Sequence, residues 1–160
     1  MKRYSLSSLA SLAICGFILN SCQGPSDRAV KSPDRLIEMS VDEGTNMAVA
    51  VSPDGKTLAY DVLGRIWLMP VEGGEGKPVT DSLGNARQPS WSPDGKQITF
   101  QGYWQGNWHI YIVNADGSNL KQMTSGDFDY REPHWSPDGT TLAFSSDRSG
   151  NYDIWKLDIV

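Results

Sequence analysis

The chain has 160 residues, enough for one small domain, and its 14 basic and 19 acidic side chains give a formal net charge of −5. Binding of nucleic acid needs a basic footprint, so this balance argues against that class of function. The composition is ordinary for a globular protein apart from its glycines and aromatics, which include 6 Trp and 6 Tyr.

The first part of the chain has the pattern of a targeting segment. Lys2 and Arg3 form a basic start, and the small and apolar residues 5–19 are too few to span a bilayer stably. The stretch ends in Leu19-Asn20-Ser21-Cys22, which resembles the lipobox of bacterial lipoproteins. The resemblance implies cleavage before Cys22 and lipidation of its thiol. An ordinary secretory signal with an incidental Cys is the alternative.

We therefore predict a signal peptide at residues 1–21, a flexible tether at residues 22–35 and a folded part at residues 36–160. Without the signal peptide the chain keeps one Cys, used by lipid, so no disulfide is possible, and its net charge is −7. Lipidation with two or more chains gives stable anchoring. The lipoprotein resemblance implies a bacterial envelope location, periplasm-facing or at the surface, and Gln23 after the Cys favours the outer membrane.

A tetrapeptide, Ser-Pro-Asp-Gly, occurs three times in the folded part, at spacings of 40 and 44 residues. A second landmark, Ile followed by Trp or Tyr, recurs every 44 residues at Ile66, Ile110 and Ile154. A fixed period of this size indicates a repeat fold. In each turn Pro presets φ, Asp caps its own backbone and Gly accepts a positive φ. We assign these turn residues a structural role: Pro53, Asp54, Gly55, Pro93, Asp94, Gly95, Pro137, Asp138 and Gly139.

The middle repeat shows the unit most fully. Residues 89–91 and 96–100 have the pattern of strands on either side of the turn, followed by a Gly-rich hairpin at 102–107 and strands at 109–113 and 120–124. Such alternation with regular turns is typical of antiparallel all-β structure, and no helical pattern competes after residue 35. Four strands at this period make a propeller blade. The predicted fold is an all-β, incomplete β-propeller of about three four-stranded antiparallel blades.

The repeats resemble the TolB-like β-propeller family of bacterial envelope proteins over about residues 37–160. The third repeat carries the family pattern nearly in full, at residues 133–140, 142–148 and 153–155. The second repeat has Tyr103-Trp104 where the family has Asp-Arg, and the first has a shorter hairpin at residues 61–64. The resemblance implies a binding module that docks an envelope protein, peptide or glycan, attached to the membrane through its lipid alone.

Residues 40–47, together with the short first hairpin, also resemble the start of propellers fused to a C-terminal amidohydrolase domain. Propellers close with about four to eight blades, and only about three repeats occur here. We therefore expect a longer parent protein that supplies further blades or domains, with self-assembly of several copies as the alternative. A parent hydrolase, of amidohydrolase or prolyl-oligopeptidase type, is the alternative to the pure binding module.

The sequence predicts no catalytic residue, metal site or cofactor in this chain. His109 and His134 lack partners at ligand spacing, and no Ser lies in a Gly-x-Ser-x-Gly elbow. The run at residues 114–119 is superficially similar to a calcium loop, but it lacks the first Asp and the distal Glu and is better explained as a plain turn.

Two groups of hairpin residues are candidates for binding. Tyr103, Trp104 and Trp108 alternate with amide side chains, a combination that can stack on sugar rings or anchor a protein partner. Packing between blades is the alternative for these aromatics. Asp147 and Arg148 could line a surface, or they could tie their hairpin to its neighbour through charge-assisted hydrogen bonds.

Overall fold

The computed structural model describes residues 46–81 and 85–159, and every regular element within them is a β-strand. The first sheet contains β1 (Val49–Val51), β2 (Thr57–Val62), β3 (Arg65–Pro70) and β4 (Lys77–Pro78). The second contains β5 (Arg87–Trp91), β6 (Gln97–Trp104), β7 (Asn107–Asn114) and β8 (Lys121–Gln122). The third contains β9 (Tyr130–Trp135), β10 (Thr141–Ser146) and β11 (Asp153–Asp158).

The predicted segments at residues 1–21 and 22–35, with Cys22, lie outside the described residues. No helix that could cross a membrane occurs between residues 46 and 159, leaving aside 82–84.

Each sheet is one antiparallel blade in which strands that follow one another in the chain are hydrogen-bonded neighbours. The first strands of consecutive blades contact one another, β1 with β5 and β5 with β9, which places them toward a common axis. The predicted all-β, unclosed propeller is therefore confirmed. Two blades have four strands, and the described part of the third has three.

The middle hairpin is tighter than predicted. Strand β6 ends at Trp104 and β7 begins at Asn107, so the turn consists of Gln105 and Gly106, both at positive φ. Tyr103 and Trp108 are paired across the strands with ring centroids 5.3 Å apart. Such an aromatic cross-strand pair stabilises the ladder and extends it through the Gly-rich stretch that we had assigned to the loop. The fourth strand, β8, is also shorter than predicted.

The Ser-Pro-Asp-Gly turns share one set of hydrogen bonds. In the first turn Ser52 Oγ donates to Asp54 Oδ1 at 2.6 Å, and the Lys56 N–H donates to the same oxygen at 3.0 Å. The Thr57 N–H in turn donates to Ser52 Oγ at 2.9 Å. The second and third turns repeat all three bonds. Serine and aspartate therefore pair the polar groups that the chain reversal leaves without ladder partners.

Consecutive turns also pack side by side. A Cβ built on Gly95 would lie 3.7 Å from Cδ of Pro53, and one on Gly139 would lie 3.6 Å from Cδ of Pro93. These glycines have φ of 71° and 72°, a conformation that L side chains rarely adopt. The repeated Gly thus permits the left-handed backbone next to the Pro of the preceding blade.

Apolar side chains fill both spaces between blades. Those between the first and second blades include Ala59, Ile66, Ile98, Phe100 and Val113. Those between the second and third include Ile110, Ile112, Tyr130, Leu142 and Phe144. The landmark Ile marks this packing: Ile66 and Ile110 are 0% exposed beneath the following blade, whereas Ile154 on the third blade is 79% exposed.

A side chain of each of the first two blades also accepts a hydrogen bond from the backbone of the next. Asp61 Oδ2 accepts from the Gln88 N–H at 2.8 Å, and Gln101 Oε1 accepts from the Glu132 N–H at 2.8 Å. Gln88 and Glu132 have φ of 54° and 55°, which is unfavourable for residues with a Cβ, and each lies at a register shift in its strand. We call these two contacts the inter-blade latches.

Removing a latch acceptor should destabilise the protein. In Gln101→Ala the Glu132 N–H, held at an unfavourable φ, loses its partner, so we expect the free energy of unfolding to fall by about 1–3 kcal/mol. Urea denaturation of the whole protein measures this change. Gln122→Ala, on an exposed strand, is the matched control, and an equal effect of the two substitutions would contradict the assignment.

Stability should also depend on the third turn at acid pH. Hydrogen bonds from Ser136 Oγ and from the N–H and hydroxyl of Thr140 lower the pKa of Asp138 from 3.8 to about 2. The folded state therefore binds a proton at the Asp138 carboxylate less tightly than the unfolded state does. The carboxylate's contribution to the free energy of unfolding is complete above pH 3.8 and is lost as the pH falls toward about 2.

We therefore expect Asp138→Asn, which keeps an acceptor oxygen but cannot titrate there, to flatten the fall in unfolding free energy over that pH window. Urea denaturation at a series of pH values compares the two proteins. A variant that loses stability on acidification as steeply as the parent would show that this carboxylate is not responsible.

Candidate binding surface

Antiparallel topology places two kinds of loop at opposite ends of the blades. The Ser-Pro-Asp-Gly turns lie at one end, which we call the turn end. The hairpins at residues 63–64, 105–106 and 147–152 lie at the other, with the segments that link successive blades; we call this the hairpin end. Hydrogen bonds join these loops, from the Ala86 N–H to Gly64 O and from the Trp108 N–H to Asp129 Oδ1, both at 2.9 Å.

Large apolar side chains are exposed at the hairpin end. Tyr103 and Trp104 are each 44% exposed. Others lie on the neighbouring hairpins and linking segment, namely Leu63, Phe128 and Tyr152. Exposed aromatic side chains grouped on one surface are typical of sites that bind another molecule.

A cleft of about 230 Å³ opens between the second blade and the segment that links it to the first blade, and it reaches the hairpin end. Its described lining residues are Thr80, Asp81, Ala86, Phe100, Gly102, Tyr103, Trp104, Tyr111, Leu120 and Gln122. The rings of Phe100 and Tyr111 are stacked with centroids 5.6 Å apart. A Cβ on Gly102 would lie 2.9 Å from Cε2 of Tyr111, so the absence of a side chain at this position gives the tyrosine ring its space.

The three predicted aromatics do not form one site. Tyr103 and Trp104 line the cleft. The ring of Trp108 packs against that of Tyr103, and the guanidinium carbon of Arg131 is 5.6 Å from the centroid of the Trp108 ring. Trp108 therefore takes part in the junction between the second and third blades, which was the packing alternative, whereas Tyr103 and Trp104 remain available to a ligand.

Asp129 is the centre of the junction between the second and third blades. Its carboxylate accepts hydrogen bonds from the Trp108 N–H at 2.9 Å, from Arg131 Nη2 at 2.5 Å and from the Tyr152 hydroxyl at 3.1 Å. Burial alone would raise the pKa of Asp129, but the Trp108 N–H and the Arg131 guanidinium outweigh it and hold the pKa below its ordinary value. An ionised carboxylate thus ties together three parts of the hairpin end.

Asp147 and Arg148 each have a partner on the third blade or its linking segment. Asp147 Oδ1 accepts from the Asp129 N–H at 3.0 Å, which connects the third hairpin to the Asp129 network. The guanidinium carbon of Arg148 lies 3.5 Å from the ring centroid of Trp155, a cation–π contact within its own hairpin. These contacts favour the structural alternative for both residues, and neither is among the described residues that line the cleft.

A second cavity, of about 460 Å³, lies along the inner strands and the uncovered face of the third blade. It is lined by Ala48, Val49, Gln88, Pro89, Glu132, Pro133, His134, Ala143, Phe144, Ser145 and Ile154. The part of the chain that the structure describes contains no group of three or more His, Cys, Asp or Glu that could hold a metal ion. His109 is buried and stacked on Tyr130, and burial lowers its pKa.

The sequence did not predict the wall of the cleft formed by Thr80, Asp81 and Ala86, nor the hydrogen bonds around Asp129. The cleft combines residues of the linking segment with residues of the second blade, so no local pattern contains it, although Gly102 within an alternating strand signals a close approach. The network has a repeated signal. Arg87 donates to Asn85 Oδ1 at 3.1 Å, and Arg131 donates in the same way to Asp129 Oδ2. Each Arg thus pairs with the residue two positions before it, and each directly precedes a backbone donor of an inter-blade latch, Gln88 or Glu132.

The model of the TolB β-propeller domain matches residues 33–160, most of the chain. The chain belongs to the TolB β-propeller family. Family membership accounts for the repeated turns, the landmark Ile and the blade order described above. It specifies the fold and leaves the ligand open, because propellers carry many functions in their loops.

Two solved structures show the similarity. The putative TolB from Agrobacterium tumefaciens is 32% identical with a TM-score of 0.64, over 68% of this chain and 40% of that one. TolB from Acinetobacter baumannii is 29% identical with a TM-score of 0.62, over 76% of this chain and 31% of that one. The uncharacterized peptidase YuxL of Bacillus subtilis (strain 168) is 44% identical over 52 residues, 29% of this chain and 8% of YuxL. The chain thus spans less than half the length of each of these proteins.

Proposed function

We propose that the chain is a lipid-anchored binding module of the bacterial envelope, which recognises a protein, peptide or glycan at its hairpin end. The supporting observation is the cleft with its two half-exposed aromatics, Tyr103 and Trp104. Rigid blades hold these side chains in place, so little conformational entropy is lost when a ligand covers them. The turn end, in contrast, carries hydrogen-bonded polar turns with charged and hydroxyl side chains.

The envelope location rests on two supports. The family includes TolB proteins of two bacteria among the similar structures. The sequence ending in Cys22 has the pattern of a lipoprotein signal. An acidic chain would gain little from anionic lipid headgroups, so the lipid chain itself would hold it at the membrane.

Photo-cross-linking in the source bacterium tests the binding role. With p-benzoylphenylalanine in place of Trp104 in the full-length protein, we expect a discrete covalent product with a second macromolecule. The same probe in place of Lys96, an exposed side chain at the turn end, is the control. We expect the cross-linked product from position 104 to disappear when Tyr103 is also replaced by Ala. Equal products from both positions, or none from either, would refute recognition at the hairpin end.

Metabolic labelling tests the anchor separately. Cells grown with a radioactive or alkyne-tagged fatty acid should label the protein, and the label should disappear in Cys22→Ser because the thiol that carries the lipid is gone. The variant should also leave the membrane fraction. A labelled, membrane-bound Cys22→Ser protein would show that the lipobox resemblance is misleading.

A second candidate is a scaffolding role within a larger hydrolase. The similarity to YuxL favours it, because that protein is described as a peptidase and is far longer than the matched region. In this case the catalytic groups would lie in another domain of the parent protein, and the propeller would position or gate its substrate. Sequencing the gene beyond the codon for Val160 distinguishes the candidates, since a His-x-His or Gly-x-Ser-x-Gly motif there would identify a hydrolase.

A further inference from the structure

We propose that the junction between the second and third blades is a pH-sensitive contact, which opens at mildly acidic pH when the buried side chain of His109 takes up a proton. This residue is 5% exposed, and its ring is stacked on that of Tyr130 with centroids 5.8 Å apart. Its Nδ1 atom is buried without a hydrogen-bond partner among the described residues. An imidazolium carries an N–H on both ring nitrogens, so protonation would place a charge and an unpaired donor between the blades.

One ion pair faces His109 from the linking segment and β9. The carboxylate of Asp129 attracts a proton on His109, but it already accepts hydrogen bonds from the Trp108 N–H, from Arg131 and from the Tyr152 hydroxyl. Burial outweighs this attraction and holds the pKa of His109 below its ordinary value of 6.5. The other groups nearby are Gly102, opposite His109 on β6; Met123 and Thr124, which bond to the backbone of Ile110; Asp147, which accepts from the Asp129 N–H; and the exposed Asp127.

The junction between the first and second blades is an internal reference. The residues 44 positions before His109, Asp129 and Tyr130 are Arg65, Asn85 and Ala86. Both junctions have a latch, with the Gln88 N–H as donor in the first and the Glu132 N–H in the second. Histidine is the side chain that ordinarily changes charge between about pH 5 and about pH 8, so a response in this range should be confined to the second junction.

Acidification should weaken the second junction. Because the closed junction binds a proton at His109 less tightly than the open one, the contribution of the neutral imidazole to its stability is complete above pH 6.5. This contribution is lost as the pH falls below that value. One proton raises the equilibrium constant for opening by up to about tenfold for each pH unit. The window lies above the one in which Asp138 titrates, so the two effects are separable.

The junction adjoins the candidate binding surface. The ring of Trp108 contacts that of Tyr103, with centroids 5.3 Å apart, and it also lies against the guanidinium of Arg131. Separation of the blades would remove the contacts of Trp108 with Arg131 and Asp129 and so alter the surroundings of Tyr103. The pH dependence of the junction itself does not rest on the proposed function.

Hydrogen–deuterium exchange of the two latch amides, read by NMR on the whole protein, provides the test. Both amides share the chemical pH dependence of exchange, so the ratio of their rates reports the opening of one junction relative to the other. We expect the ratio of the Glu132 rate to the Gln88 rate to rise at least about tenfold between about pH 7.5 and about pH 5.5.

Substitutions assign the effect to one imidazole. His109→Phe keeps a ring that can stack on Tyr130 but cannot titrate, so the ratio should stay constant with pH. His109→Gln is a second variant without a titrating group. His134→Gln is the matched control, because His134 is the other histidine of the chain and is exposed on β9, and it should keep the pH response of the parent. Circular dichroism at pH 7.5 verifies that each variant is folded.

Four results would overturn the inference. The first is a ratio in the parent that does not change with pH, and the second is a parallel rise of both rates, which indicates unfolding of the whole stack. The third is a pH response that persists in the His109 variants or disappears in His134→Gln. The fourth needs no variant: an NMR titration of the parent in which the His109 imidazole has its midpoint at or above pH 6.5.

Discussion

None of the three blades in the described residues buries its own faces, so the burial of apolar side chains between blades is the constraint on which the rest depends. Ile66 and Ile110 are completely buried because a neighbouring blade covers them, and Ile154 is exposed where the described residues provide no cover. At about 25 cal/mol per Å² of apolar surface, this burial is the main favourable term in such a stack. The Ser-Pro-Asp-Gly turns and the inter-blade latches fix the spacing and the orientation of one blade relative to the next.

The same architecture explains why the candidate site lies where it does. The turn end is occupied by repeated hydrogen bonds that reverse the chain, so its residue types are dictated by the fold. The hairpin end carries loops of different length and composition, because a β-hairpin tolerates such changes at its tip. The second hairpin displays Tyr103 and Trp104 beside a cleft that forms where the second blade meets the segment linking it to the first.

The fold was largely predictable from the sequence, because the Ser-Pro-Asp-Gly turn and the landmark Ile repeat at a fixed period. The repetition follows from the packing, since each blade must bury apolar side chains against its neighbour at equivalent positions. The site was less predictable. Tyr103, Trp104 and Trp108 carry the same local signal, yet Tyr103 and Trp104 line the cleft whereas Trp108 lies against Arg131. Local sequence does not report which face of a strand meets another blade. Nor does it report that Asp129, besides pairing with the nearby Arg131, joins Trp108 and Tyr152, which are more than 20 residues away in the chain.

The latches give the array of blades a polarity. At each junction the acceptor side chain, Asp61 or Gln101, belongs to the preceding blade, and the left-handed donor, Gln88 or Glu132, belongs to the following one. Such a junction is head-to-tail, with different surfaces on its two sides, and repetition of a head-to-tail contact produces a ring or an open helix according to the rotation between units. A blade placed in the opposite sense would bring two acceptors or two donors together, so the arrangement fixes one orientation for every blade of the stack.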